Sequence, residues 1–211
     1  MNRKFLFVLG AGLIGALSLI AVGCDEMCCN SSQGSGSILI KDTESDTSHK
    51  ATFSFRVECI GTNDPAAPRK VTGRFEYQDH KPWKKSGASK ADSVSIRGTV
   101  GDVANTGFLN EPELGLLDPA TGYPKDESYW FSALDDKVCA QNANIAIFTG
   151  TYTPQPNPLG EDGKGTFTVA VKDNGTSGPS PDDVFVIKLT GGAFKGYLQM
   201  GTLAGGNMKA L

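Results

Sequence analysis

The chain has 211 residues, of which 20% are charged and 39% hydrophobic, a composition typical of a globular protein and not of a disordered one. The 26 glycines and 11 prolines exceed their usual share, which argues against a helical bundle and favours a turn-rich β protein. The net charge of −3 excludes the strongly basic surface that nucleic-acid binding requires.

Residues 1–23 resemble a bacterial lipoprotein signal peptide. Arg3 and Lys4 form a short positive region, and the uncharged run 5–22 follows it. The run ends in Ala21-Val22-Gly23-Cys24, and small residues before a cysteine resemble the lipobox, although Ala21 stands where leucine is usual. The resemblance implies cleavage before Cys24 and a diacylglyceryl group on its thiol. Several acyl chains would anchor the protein firmly, since each buried CH₂ contributes about 0.8 kcal/mol.

Two other interpretations of this segment stay open. One is a plain secretory signal that is cut near Ala21 or Gly23, and the other is an uncleaved anchor. The lipoprotein interpretation places the rest of the chain in the bacterial cell envelope, lipid-anchored and facing the periplasm or the cell exterior.

Residues 24–37 are predicted to be a lipidated cysteine followed by a flexible tether. The segment 25–37 is polar, small and rich in glycine and serine, which is typical of a flexible coil. No ordered strand is expected before Ile38. The adjacent Cys28 and Cys29 have no partner histidine or CxxC motif nearby, which leaves intermolecular disulfides, a bridge to the domain or further acylation.

From Ile38 onward, short runs alternate apolar and polar residues and are separated by turn residues, as in half-buried strands. About nine such runs occur: Ile38–Lys41, Ala51–Ile60, Lys70–Gln78, Ser93–Val100, Asn144–Tyr152, Thr166–Lys172, Val184–Leu189, Phe194–Met200 and Thr202–Lys209. The pattern predicts a single all-β domain over 38–211, an antiparallel sandwich or jelly roll.

The segment 101–143 interrupts this rhythm, because it lacks clean alternation and contains three prolines and a cluster of aromatic residues. We interpret it as a long elaborated loop with a short helix near Ser128–Asp136; a hidden pair of strands is the alternative. Its aromatic residues are expected to cap one end of the sandwich or to form a ligand-binding surface.

Four motifs resemble the post-COAP family of bacterial surface domains: Gly73–Asp79 with His80, Thr166–Gly175, Asp182–Gly192 and Gly201–Asn207. Their order and spacing agree along roughly 38–211. The resemblance implies an exported all-β module of unknown biochemical role, and it carries no catalytic residue over to this chain.

Cys59 and Cys139 are candidates for a disulfide. Export allows disulfides to persist, and these are the two cysteines outside the signal and tether. Cys59 shares the apolar face of its strand, and Cys139 precedes the strand at Asn144. The alternative is two independent buried thiols.

The hairpin 173–183 is a candidate calcium site, and no other cofactor is expected. Hard oxygen ligands surround a short loop there, at Asp173, Asn174, Asp182 and Asp183. Ordinary turn chemistry accounts for the same residues.

No catalytic motif is recognisable. His49 and His80 lie outside any motif, and both are expected on the surface. The chain is therefore interpreted as a membrane-tethered lipoprotein that displays a binding or structural module toward an envelope or extracellular protein or glycan. The alternative is an extracytoplasmic hydrolase whose paired carboxylates lie on the long segment, chosen among Asp118, Asp126, Glu127, Asp135 and Asp136.

Overall fold

The computed structural model describes residues 31–41, 47–60, 70–83, 92–106, 145–173 and 183–210. These residues form eight strands and one 3₁₀ turn, Gly160–Gly163. The strands are β1 Ser32–Lys41, β2 Ser48–Ile60, β3 Lys70–Trp83, β4 Asp92–Thr106, β5 Ile145–Pro154, β6 Gly165–Lys172, β7 Val184–Thr190 and β8 Leu198–Lys209.

The all-β prediction is confirmed, but the sheet closes into a barrel. Each strand pairs antiparallel with the next, and β8 pairs back onto β1 from Gln33–Lys209 to Leu39–Thr202. The expected sandwich or jelly roll is corrected accordingly. Alternation of apolar and polar residues is the same in both architectures, and the β1–β8 pairing alone closes the sheet.

β1 begins six residues earlier than expected, so Ser32–Ser37 belong to the barrel and not to a flexible tether. Small residues are needed there, since β1 runs close to its neighbours. A Cβ on Gly34 would lie 2.7 Å from the Phe55 ring, and one on Gly36 would lie 2.0 Å from the carbonyl oxygen of Gly205. The glycines that suggested flexibility therefore serve close packing.

The two strands expected at the C-terminus are a single strand, β8, preceded by a turn. Gly191, Gly192 and Gly196 have positive φ angles of 73°, 59° and 91°, a conformation that favours glycine. The turn folds Phe194 and Tyr197 into the end of the barrel, where both are buried. Their apolar character, which suggested a strand, reflects this burial.

Aromatic rings fill the interior of the barrel. Rings on strands that are not neighbours touch across it: Phe53 and Phe185 have centroids 4.6 Å apart, and Phe75 and Phe167 have centroids 4.8 Å apart. An eight-stranded barrel is just wide enough for side chains to fill. Along this stretch the interior of the barrel is a packed aromatic core.

The outer surface has two different faces. On β2, β3 and β4 the outward side chains are mostly polar and exposed. On β5, β6 and β7 the outward positions are apolar and buried, and these residues are separate from the barrel core: Ile145, Ile147, Ala170, Val184 and Val186. The sequence of β7 is almost continuously apolar because both faces of this strand are buried.

Candidate functional site

A buried carboxylate, Asp79, organises one end of the barrel. Its side chain is 2% exposed, and it accepts hydrogen bonds from Lys81 N–H at 2.9 Å and from the Tyr197 hydroxyl at 2.6 Å. His49 Nε2 lies 3.1 Å from one carboxylate oxygen and 3.2 Å from the other. These three partners compensate the desolvation of the carboxylate.

Strand pairing brings His49 and Asp79 together. Asp79 follows Phe75 and Tyr77 on the inward face of β3 and pairs with Ala51 of β2. His49 lies two residues before Ala51 and therefore faces the same side. The β3–β4 register shifts between Asp79 and Pro82, which leaves the Lys81 N–H available to the carboxylate.

Two tyrosines extend this arrangement, and we call Asp79, His49, Tyr197 and Tyr77 the polar cluster. The Tyr77 and Tyr197 hydroxyls are 2.8 Å apart. Burial raises the pKa of both, and the nearby charge of Asp79 raises each further. Both hydroxyls therefore stay protonated. Since Tyr197 donates to Asp79, Tyr77 donates to Tyr197.

A set of aromatic contacts holds the β7–β8 turn over the same end. The Tyr152 hydroxyl donates to the carbonyl oxygen of Gly191 at 2.8 Å and accepts from Phe194 N–H at 3.1 Å. The Trp83 ring meets the Tyr197 ring edge-on at 5.8 Å. Burial also raises the pKa of Tyr152, so its hydroxyl stays a donor.

The polar cluster and Tyr152 together therefore fix the two ends of the β7–β8 turn to the barrel. Tyr197, at the end of the turn, is tied to β3 through Asp79, and Tyr152 ties the start of the turn to β5. His49 is 19% exposed, so solvent reaches the cluster at this imidazole. A histidine oriented by a buried carboxylate is also how enzymes hold a general base. In this protein the described contacts of the cluster join Tyr197 of the β7–β8 turn to Asp79 and Tyr77 of β3.

A cleft lies on the outer face of the barrel at the other end, where the pairing of β3 and β4 ends. Its volume is about 670 Å³. Five side chains form its rim and two valines and a glycine lie beneath: Arg56, Glu58, Thr72, Arg74 and Thr99, with Val71, Val100 and Gly73. A smaller groove of about 290 Å³, lined in part by Glu76 and Arg97, lies on the same outer face.

The sequence-predicted sites are only partly described. Cys59 is buried on the inward face of β2, as expected, while Cys24 and Cys139 lie outside the described residues. Asp183 is fully buried and Asp173 is half-buried, but Asn174 and Asp182 are not described. In the described ranges no three histidine, cysteine or acidic side chains group to hold a metal ion. The calcium site and the disulfide stay predictions, and the five carboxylates of the hydrolase hypothesis lie outside the described ranges.

The sequence pattern does not indicate the polar cluster. The prediction that His49 lies on the solvated surface is wrong, because Asp79 holds the imidazole in a half-buried position. The signal that could have found it is an acidic residue at an inward position. Asp79 continues the face of Phe75 and Tyr77, where a carboxylate requires buried partners. His80 is exposed, as expected.

Comparison with known proteins adds no assignment. No family model matches the chain, and no curated protein or solved structure is significantly similar to it. Within the described ranges, no helix has both the length and the apolar character needed to cross a lipid bilayer.

Proposed function

We propose that this chain is a bacterial lipoprotein, anchored in the cell envelope by an acylated Cys24, whose β-barrel acts as a binding module outside the cytoplasm. The proposal draws on the resemblance of the lipobox-like Ala21–Cys24 and of the motifs in 73–207 to exported bacterial modules. The barrel works through its outer surface, since rings from non-neighbouring strands meet in its interior.

The observation that carries the proposal is the start of β1 at Ser32, close behind Cys24. Seven residues separate the two, and an extended chain spans at most about 3.5 Å per residue, so the barrel would lie within about 30 Å of the lipid. Ser32 pairs with Val57, near the end of β2 that carries Cys59. This end would face the membrane, and the polar cluster, at the other end, would face away.

Substitution of Cys24 tests the anchor. Cys24→Ser, expressed in a bacterial host that receives labelled palmitate, is expected to lose the label and to leave the detergent-rich phase on phase separation. Cys28→Ser/Cys29→Ser is the matched control in the same segment and is expected to retain both properties. A Cys24→Ser protein that stays labelled and membrane-bound would contradict the proposal.

A further inference from the structure

The cleft between β3 and β4 arises from the pairing of the strands. The β3–β4 register starts at Arg74–Thr99 and runs toward the polar cluster, whereas Lys70–Gly73 of β3 pair with β2 only. β4 bulges between Val100 and Asp102 and continues along β5. Pairing between β3 and β4 therefore ends here, and the cleft of about 670 Å³ lies on the outer face beside this end of the pairing.

Two arginines on the rim of the cleft lie directly opposite each other on paired strands. Arg56 of β2 and Arg74 of β3 are registered partners, and opposed residues on one face of a sheet have Cβ atoms about 5 Å apart. Like charges in this position destabilise a sheet. An ion pair with Glu58 neutralises the charge of Arg56, but this pair leaves the charge of the second guanidinium, on Arg74, in place.

No described residue neutralises the positive charge of Arg74. Among the described residues its side chain has no ion pair, while Arg97, on the same outer face, pairs with Glu76 at 3.2 Å. The Thr72 and Thr99 side chains lie beside Arg74 on the rim. An acidic protein thus carries, at the rim of this cleft, a guanidinium whose charge no described residue neutralises.

We propose that this cleft binds an oxyanion, a carboxylate or phosphate group, through Arg74, whose guanidinium lacks the ion pair that Arg56 makes with Glu58. A guanidinium presents a planar fork of donors that matches the two oxygens of such a group. The Thr72 and Thr99 hydroxyls would supply neutral hydrogen bonds, and the half-buried Val71 would offer an apolar contact. This site goes beyond the lipid anchor, and its test does not depend on whether Cys24 is acylated.

Thermal unfolding tests the site in the mature protein, purified in detergent. At ten times its dissociation constant, a ligand of the folded state should raise the Tm of a chain of this size by about 3 to 5 °C. Inorganic phosphate forms one arm and glucuronate the other, each compared with chloride at the same ionic strength. A rise in Tm with phosphate alone identifies a phosphate group, a rise with glucuronate alone a carboxylate, and a rise with both the oxyanion that they share.

Two variants separate binding at the cleft from a general effect of salt. Arg74→Gln is expected to lose the anion-induced rise in Tm and, in chloride, to be at least as stable as the parent, because the opposed charge is gone. Arg97→Gln is the matched control in the neighbouring groove of about 290 Å³ and is expected to keep the rise. The proposal fails if the parent shows no rise with either anion, or if Arg74→Gln and Arg97→Gln respond alike.

Discussion

At the scale of single residues, the hydroxyl of Tyr197 connects the β7–β8 turn to β3. It donates to Asp79 and accepts from Tyr77, so its removal leaves a buried charge and a buried hydroxyl each short of a partner. An unsatisfied buried group of this kind costs about 1–3 kcal/mol, more than an average hydrogen bond contributes.

Tyr197→Phe is therefore expected to lower the free energy of unfolding by about 1–3 kcal/mol in urea titrations. Combined with Asp79→Asn, it should give a coupling energy of about 0.5–3 kcal/mol, because the two residues share one hydrogen bond. Glu161→Gln, on the exposed 3₁₀ turn, is the control and should change stability by no more than about 0.5 kcal/mol. Additive effects of Tyr197→Phe and Asp79→Asn would contradict the role of this hydrogen bond in holding the β7–β8 turn.

The buried tyrosines also predict how stability depends on pH. Burial raises the pKa of Tyr77, Tyr152 and Tyr197 above the ordinary value of 10.0. A group whose pKa is raised on folding contributes its full stabilisation below the unfolded pKa and loses it as the pH rises further. Stability should therefore fall as the pH rises above about 10.

The ultraviolet absorbance of tyrosinate checks this prediction alongside circular dichroism. Three of the five tyrosines should ionise only as the β signal is lost. Ionisation of all five near pH 10 with an intact β signal would show that the three hydroxyls are open to solvent.

At the scale of the elements, β1 shows that a glycine-rich segment can be a closely packed strand and not a flexible coil. A segment rich in glycine and serine is typical of a flexible coil, yet Gly36 lies against β8 so closely that a Cβ would stand 2.0 Å from a backbone oxygen. The composition is the same in both cases. The difference is the neighbouring strand, which lies about 170 residues away in the sequence.

Gly36→Ala should consequently destabilise the barrel by about 1–3 kcal/mol or more, because the added methyl group must displace the backbone of β8. Gly101→Ala is the matched control, since the nearest atom to its Cβ would be 4.0 Å away. The comparison needs only the midpoints of thermal or urea unfolding. Equal midpoints for Gly36→Ala and the parent would mean that β1 does not pair with β8.

At the scale of the whole molecule, the disulfide between Cys59 and Cys139 is the long-range constraint still to be tested. Cys59 lies one residue before the end of β2, and β5, which follows Cys139 in the sequence, begins with Ile145 at this same end of the barrel. The bridge would close a loop of about 80 residues and stabilise the fold by up to about 4 kcal/mol.

Peptide mapping of protein recovered from the envelope, without reduction, is expected to yield the Cys59 and Cys139 peptides as one linked species. Reduction should separate them, and Cys59→Ala should abolish the linked species and lower the Tm. Recovery of both cysteines as separate, alkylatable thiols from the envelope would rule the bridge out.

The local pattern of apolar and polar residues is enough to predict the all-β class and the position of several strands. Alternation of apolar and polar residues located β2, β5, β6 and β7 to within three residues at each end, since one buried face imposes a period of two. The predictions for β1, β3 and β4 are five or six residues too short at one end, and β4 continues to Thr106, inside the segment predicted to be a loop. The alternation also placed Cys59 on an inward face and predicted an all-β fold. These properties depend on neighbouring residues, and so they are visible in the sequence.

Contacts between distant residues decided the rest. Closure into a barrel depends on the pairing of β1 with β8, the polar cluster on the meeting of His49, Asp79 and Tyr197, and the cleft on the separation of β3 from β4. None of these leaves a periodic signal in the chain. Each is a matter of register and strand order, because a barrel brings together side chains that the sequence keeps far apart.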